Sequence, residues 1–539
     1  MKKHLWLYAT GVLCVVHICL NMIWIMHNED FMGFDVFEHL TRQERLYAET
    51  KAILALTEPL EAKIKDVLYL FFRSPYSHSQ FPGFVYLITI IQKLIFGDHW
   101  TLPFLANSFY LLMLLFSTYA VGALCANGFI GFLAAFILST SPEITGIVRY
   151  YGLDYPLMAF FACSFLILLK TEYFQKIRYT LLLAVFCIIG ILIKGQFVFF
   201  IVPSMSVFFF FALRQKKLRE GNLIILSVIS CFVVLFITYI WWEGRVKELL
   251  HILWTHLTFF YAGESPSLGF IARHVFFYGR TMVLAMFPFY FLLAVWSLYY
   301  VFRKYATVPI RGIFWVSIST YLVFTLISAK NARYLYPIYF GYAILVAYCI
   351  CGLAERRTRR IVLVSIFIIG SVQTVVMSFG PKPIYSWIRT NFVNRIRGND
   401  RSEIWIELPR SSNTRAQVRS MARHIEGANK NVLILNDPFA DLTRSVEFEY
   451  FLRHANPSLI VNSSPWWPLE EMLMSADYLI FNDNSIYAQA LIGARNKFET
   501  AAADLIYEHR DDYAVLWVGE WCASYGEPLK MMVLAKKIV

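Results

Sequence analysis

Charge is what this chain has least of. Only 16% of its 539 residues are Asp, Glu, Lys or Arg, where soluble domains carry roughly 25%. With 58% hydrophobic and 17% aromatic residues, that shortage excludes an ordinary soluble protein. Segments 180–193, 197–213, 223–240 and 361–379 are almost free of charge, and several approach the ~20 residues that cross a bilayer. The nine cysteines show no paired or CxxC spacing. Most, such as Cys14, Cys19, Cys163 and Cys187, lie in apolar helices and read as small hydrophobes, silent about redox compartment. There is no Walker or GxGxxG sequence, so no nucleotide site is indicated, and no internal repeat or low-complexity tract. The segment Leu5–Met26, behind Lys2 and Lys3, has no small-x-small cleavage site and exceeds the apolar core of a signal peptide, so it is expected to remain as a first helix.

What charge there is lies unevenly. Residues 1–380 hold 31 Lys+Arg against 18 Asp+Glu, and residues 381–539 hold 18 against 19. The basic excess of +12 therefore belongs to the membrane part, which argues against nucleic-acid binding and for orientation by cytoplasmic positive charge. The clusters are Lys2/Lys3, Lys170/Lys176/Arg178, Arg214/Lys216/Lys217/Arg219, Arg303/Lys304/Arg311 and Arg356/Arg357/Arg359/Arg360. Placing all five inside fixes a polytopic helical protein of about eleven transmembrane helices, with spans near 5–26, 101–121, 127–141, 153–170, 179–193, 196–213, 222–242, 282–302, 312–328, 334–353 and 361–380. The N-terminus is then cytoplasmic. The count requires that Phe81–Phe96, short and carrying Gln92 and Lys93 behind Pro82-Gly83, be a juxtamembrane or re-entrant helix. Outer loop 1 is then 27–100, and Asp35 and Asp154 both face outward.

After Pro381 charge returns and short apolar runs alternate with helical stretches. Asn431–Leu435, Tyr478–Phe481, Tyr513–Val518 and Met531–Leu534 read as strands, Thr414–Glu426 and Glu470–Ala476 as helices. Residues 381–539 are expected to form an extracytoplasmic α/β domain beside a transmembrane domain of residues 1–380.

The outer face collects the residues that could carry chemistry. A carboxylate beside lipid is costly, which makes Asp154, at the mouth of an apolar helix, a candidate for function; Arg149 is placed to form a structural ion pair with it. Loop 1 supplies Glu29, Asp30, Asp35 and Glu38, of which Glu29, Asp30 and Glu38 read first as surface charges. Lys194 interrupts two apolar helices, and Lys330 and Arg333 sit at a helix junction, where snorkelling toward headgroups is the alternative. His251, His256 and His274 have no ligand pattern, and Trp466-Trp467 reads as packing before sugar stacking. A carboxylate can serve as general base toward an attacking hydroxyl, and nearby cations can bind a phosphate and stabilise charge on its departure.

In order along the chain, these motifs resemble the GT-C superfamily of glycosyltransferases, of the protein O-mannosyltransferase and aminoarabinose transferase type. The acid Asp35, the stretch Ser79-Gln80-Phe81-Pro82-Gly83, the run Ser141-Pro142…Arg149-Tyr-Tyr-Gly-Leu-Asp154-Tyr-Pro156-Leu157, the turn Leu192-Ile-Lys194-Gly195 and the segment Lys330-Asn-Ala-Arg333-Tyr334-Leu-Tyr-Pro337 carry the resemblance over about residues 5–380. It implies a GT-C fold and a membrane enzyme that transfers a sugar, with inversion, from an undecaprenyl- or dolichyl-phosphate donor to a lipid, glycan or protein acceptor on the outer or periplasmic face of, in a bacterium, the inner membrane. Asp35 would be the general base, Asp154 would orient acceptor or donor sugar, and Lys330, Arg333 and more weakly Lys194 would hold the donor phosphate. Two departures leave alternatives open. Val36 follows Asp35 where many relatives have Asp-Glu, so Asp30 remains a rival. Gln80-Phe81-Pro82-Gly83 lacks an expected cation, a place His78 or Arg73 could take. Glu38, Arg149 and Tyr334 complete the additional candidates. No DxD motif is present, so no obligatory metal or other cofactor is expected. A transporter of lipid-linked glycans, with charges at the midplane and repeat symmetry, and a polysaccharide polymerase or ligase, with catalytic Arg and His in the loop 243–281, are the competing classes.

Overall fold

The computed structural model describes residues 2–27, 34–73, 83–99, 101–149, 151–216, 268–304, 306–326, 332–379, 425, 430–434, 460–462, 477–482, 513–521 and 529–536. The chain divides into two compact units, Met1–Ile25 with Arg45–Pro409, and Met26–Glu44 with Arg410–Val539.

The first unit is helical. Its described helices, some reaching into the second unit, are α1 Lys2–His27, α2 Phe34–Ala55, α3 Leu60–Arg73, α4 Leu87–Phe96, α5 Leu102–Cys125, α6 Gly128–Ser139, α7 Pro142–Ile147, α8 Asp154–Lys170, α9 Ile177–Ile193, α10 Val198–Arg214, α11 Leu268–Arg303, α12 Val308–Leu326, α13 Tyr339–Cys351 and α14 Arg356–Phe379, with short 3-10 turns at Gly83–Tyr86, Gly195–Phe197 and Ala332–Ile338. Among the described residues, seven helical segments are long and apolar enough to cross a membrane: His4–Met26, Leu102–Cys125, Gly195–Arg214, Phe276–Arg303, Val308–Thr325, Arg333–Cys351 and Arg356–Phe379. This is an integral membrane protein. Of the other expected spans, α6 has 12 residues, α8 and α9 have 17 each, and 222–242 lies outside the described residues. The segment read as non-crossing contains α4, 10 residues long, about 15 Å at 1.5 Å per residue.

Packing follows from small residues at the crossings. α5 and α6 form a hairpin opened by Asn127, whose side chain accepts the Ile130 N–H, an N-cap that satisfies one of the free donors at the helix start. Gly122 and Gly131 let the two backbones touch: a Cβ on Gly131 would lie 2.2 Å from the Tyr119 carbonyl oxygen. α8 packs on α5, and α13 packs on α6 and α11. α13 is buried almost throughout, so it forms the core of the bundle. α11 bends at Phe287 (φ 64°, ψ 146°) ahead of Pro288; proline removes a helical N–H and drives its predecessor out of the helical region.

In the second unit the described strands are β1 Asn431–Ile434, β2 Ile460–Asn462, β3 Tyr478–Asn482, β4 Tyr513–Trp521 and β5 Leu529–Lys536. They form one sheet in the order β2-β1-β3-β5-β4. β1 pairs in parallel with β2 and β3, while β5 pairs antiparallel with β3 and β4, with an irregularity between Val515 and Trp517. Parallel neighbours need crossover connections. The helices expected at Glu470–Ala476 and, apart from Ile425, Thr414–Glu426 lie outside the described residues.

Candidate active site

The site is built on the first turn of α8. Asp154 is the first residue of that helix, where the positive end of the helix dipole favours a carboxylate. The loop before it is held from several sides. Asn107 of α5 donates through Nδ2 to the Val148 carbonyl at 2.9 Å, Thr89 of α4 shares a hydrogen bond with the Tyr151 hydroxyl at 3.0 Å, and the Tyr110 hydroxyl donates to the Val85 carbonyl at 3.3 Å. Every described residue from 130 to 162 except Phe132 is buried. A non-helical backbone at that depth is tolerated only inside protein or against a water-filled cavity.

Lys194 comes from the break between α9 and α10. Its backbone is extended (φ −158°, ψ 124°), its N–H donates to the Gly190 carbonyl at 3.1 Å, and its carbonyl accepts the Phe197 N–H at 2.9 Å. Gly190 permits the reversal: a Cβ there would stand 2.5 Å from the Phe197 ring, and that ring is wholly buried. The ammonium thus delivered donates to Asp154 Oδ1. Arg333, from the 3-10 turn Ala332–Ile338, places Nη1 3.6 Å from Asp154 Oδ2. Asp154 is 4% exposed and Lys194 7%, so two cations and one carboxylate share a nearly dry site. In such surroundings the attraction between unit charges at 4 Å is roughly 4 kcal/mol at an effective dielectric of 20. Among these three side chains the cations outnumber the carboxylate two to one.

The structure therefore brings together Asp154, Lys194 and Arg333, from three separate motifs. Arg149 points elsewhere with its described bonds. Its Nε donates to Asn21 Oδ1 at 3.0 Å, Nη1 to the Met377 carbonyl at 3.1 Å and Nη2 to Ser378 Oγ, while the guanidinium lies 5.0 Å from the Trp24 ring centre. It ties the loop before α8 to the first and last transmembrane helices. Tyr334 sets its ring 5.9 Å from Phe324. Asp35 and Glu38 lie in α2, within the second unit, and their side chains are outside the description. Asp30, His78 and Lys330 lie outside the described residues, as do His251 and His256.

The sequence places Glu143 and Tyr336 on the outer face but assigns neither a role. The Tyr336 hydroxyl donates to Glu143 Oε1, and both side chains are fully buried. The available signal was an acid directly after Ser-Pro in an otherwise apolar stretch. Among the described residues no group of three His, Cys, Asp or Glu side chains converges as metal ligands would.

Residues 77–242, which include Asp154 and Lys194, match the family model described as dolichyl-phosphate-mannose-protein mannosyltransferase. No curated protein matches the chain. Among solved structures, ArnT from Cupriavidus metallidurans bound to undecaprenyl phosphate superposes with a TM-score of 0.60 at 11% identity, over 98% of each chain. The same protein in its apo state gives 0.58 at 13% identity, again over 98% of each. The oligosaccharyltransferase of Archaeoglobus fulgidus in its apo form gives 0.48 at 10% identity, over 97% of this chain and 75% of its own. The chain thus has the fold of the GT-C glycosyltransferase superfamily, which the order of its motifs implied.

Proposed function

We propose that the protein transfers a sugar from a polyprenyl-phosphate donor to a hydroxyl of a lipid, glycan or protein acceptor, with inversion at the anomeric carbon. The observation that carries this reading is Asp154 buried between Lys194 and Arg333, a cation-rich site within an apolar bundle. Anionic lipid headgroups meet such a site in the right surroundings, and cations fixed in a dry site stabilise charge that develops on a leaving phosphate. Two facts support the donor class. The matched family is described by dolichyl-phosphate-mannose, and the ArnT structure of the same fold holds undecaprenyl phosphate.

In the reaction, Asp35 removes the proton from the acceptor hydroxyl. The acceptor oxygen bonds to the anomeric carbon as the bond to the phosphate oxygen breaks on the opposite face, and the phosphate leaves with the lipid carrier. Arg333, Lys330 and Lys194 hold that phosphate, with Arg as a planar fork and Lys as a point charge. Asp154 keeps Lys194 and Arg333 in register. The reaction needs no metal ion. We place the N-terminus in the cytoplasm and the catalytic face and sheet-bearing unit outside, in a bacterial inner membrane.

The test is direct. Purified protein is incubated with labelled polyprenyl-phosphate monosaccharides and total membrane lipids, beside Asp35→Asn and Asp154→Asn. Both variants are expected to lose at least ~100-fold in transfer rate, as befits a base and a charge-positioning group. Undiminished transfer in both would sink the assigned acid roles.

A further inference from the structure

Glu143 is an expensive residue where it stands. An ionisable carboxyl out of reach of water costs several kcal/mol unless it is hydrogen-bonded or paired, and packing alone could be served by a hydrophobe of the same volume. What it gains is a bond across 193 residues of chain, from the Tyr336 hydroxyl to its Oε1. The two ends of that bond belong to the two sides of the site. Glu143 lies in α7, on the loop that leads through Arg149 and Tyr151 to Asp154. Tyr336 occupies the same 3-10 turn as Arg333, three residues later, a spacing at which 3-10 side chains eclipse. The Tyr336 ring is further braced by Tyr339, 5.7 Å away in the first residue of α13. The turn is packed against α8, α11, α12 and α13, but 3-10 hydrogen-bond geometry is poorer than that of an α-helix, so a bond to Glu143 adds to its registry against the α7–α8 loop.

We propose that Glu143 and Tyr336 are positioning residues: their bond sets the separation of Arg333 from Asp154, and through it the affinity for the phosphate of the lipid carrier. The proposal rests on the reading of the Asp154 cluster as a phosphate site.

The test uses the full chain in lipid nanodiscs with undecaprenyl phosphate as probe, comparing dissociation constants. Glu143→Gln and Tyr336→Phe are each expected to weaken binding on the order of tenfold, the scale of one hydrogen bond to a charged group. The double variant should be no weaker than the worse single, and neither substitution should add loss once Arg333→Ala is present. Unchanged affinity in both singles overturns the proposal. So does a loss of equal size with and without Arg333, which is what a merely structural role gives. If Arg333→Ala alone leaves affinity intact, the phosphate reading itself fails and the proposal falls with it. Should Glu143→Gln fail to fold, Glu143→Asp keeps the charge but shortens the reach by one methylene. It is expected to bind more weakly than wild type, and wild-type affinity in it would count against the proposal.

Discussion

At the scale of residues, the site is a balance of few charges. Lys194 is held against Asp154 in a nearly dry setting. Removing Lys194 leaves Asp154 with only the longer Arg333 contact at 3.6 Å, at a cost of up to roughly 3 kcal/mol. Lys194→Met keeps the apolar stem and discards the charge, so it should destabilise by about that amount in chemical denaturation of the micelle-solubilised protein. Adding Asp154→Asn should restore part of the loss, because the carboxylate whose closest cation was removed is then gone too. A single variant as stable as wild type would contradict the pairing. Asp154, Lys194 and Arg333 were legible in the sequence because a charge in an apolar run announces its own cost. That they meet was not legible, since 40 and 179 residues separate the later two from Asp154 and only the bundle closes those gaps. Glu143 received no role for a related reason. In sequence it looks like one more acid in a turn, and the apolar stretch around it is the faint sign of its burial.

At the scale of elements, glycines decide how close the helices come. A methyl on Gly131 would meet a backbone carbonyl at 2.2 Å, and one on Gly122 the Gly131 Cα at 2.7 Å. Neither neighbour can swing aside as a side-chain tip would. Gly131→Ala should therefore cost at least ~2 kcal/mol, an overpacking penalty. Gly11→Ala in α1, with nothing within 4 Å of the added carbon, should fall within about 0.5 kcal/mol of wild type. Thermal unfolding of the two variants in the same detergent compares them; equal midpoints would show that the hairpin repacks. Hydrophobic runs revealed most of the helices and, in the second unit, strands β1, β3, β4 and β5 close to their expected places. β2, three residues long, was missed because so short a run carries too little pattern. Nor did the runs show where α11 starts. The span expected at 282–302 lies within the candidate crossing Phe276–Arg303, but the helical stretch opens earlier, at Leu268, and is interrupted at Phe287 ahead of Pro288.

At the scale of the whole molecule, the arrangement of loops about the membrane remains the strongest claim made by charge alone. Cysteines introduced at positions 35 and 196, the second only partly buried beside Lys194, should both react with an impermeant reagent added from outside once the nine native cysteines are replaced. Labelling from opposite sides would overturn the proposed topology. The sequence could show a basic bias because it counts residues, but it could not show depth, and depth matters here. A 12-residue helix such as α6 is about 18 Å long, against a hydrocarbon core of about 30 Å. On the proposed topology α6 starts at the inner surface, so the Ser141-Pro142-Glu143 loop ends short of the outer headgroups, while the 17 residues of α8 carry Asp154 about 26 Å up from the inner surface. On the proposed function, a carrier phosphate dips slightly from the level of its neighbours to reach Lys194 and Arg333. On that reading the thickness of the surrounding bilayer becomes a variable of sugar transfer, with thicker membranes lengthening the descent and slowing the capture of donor.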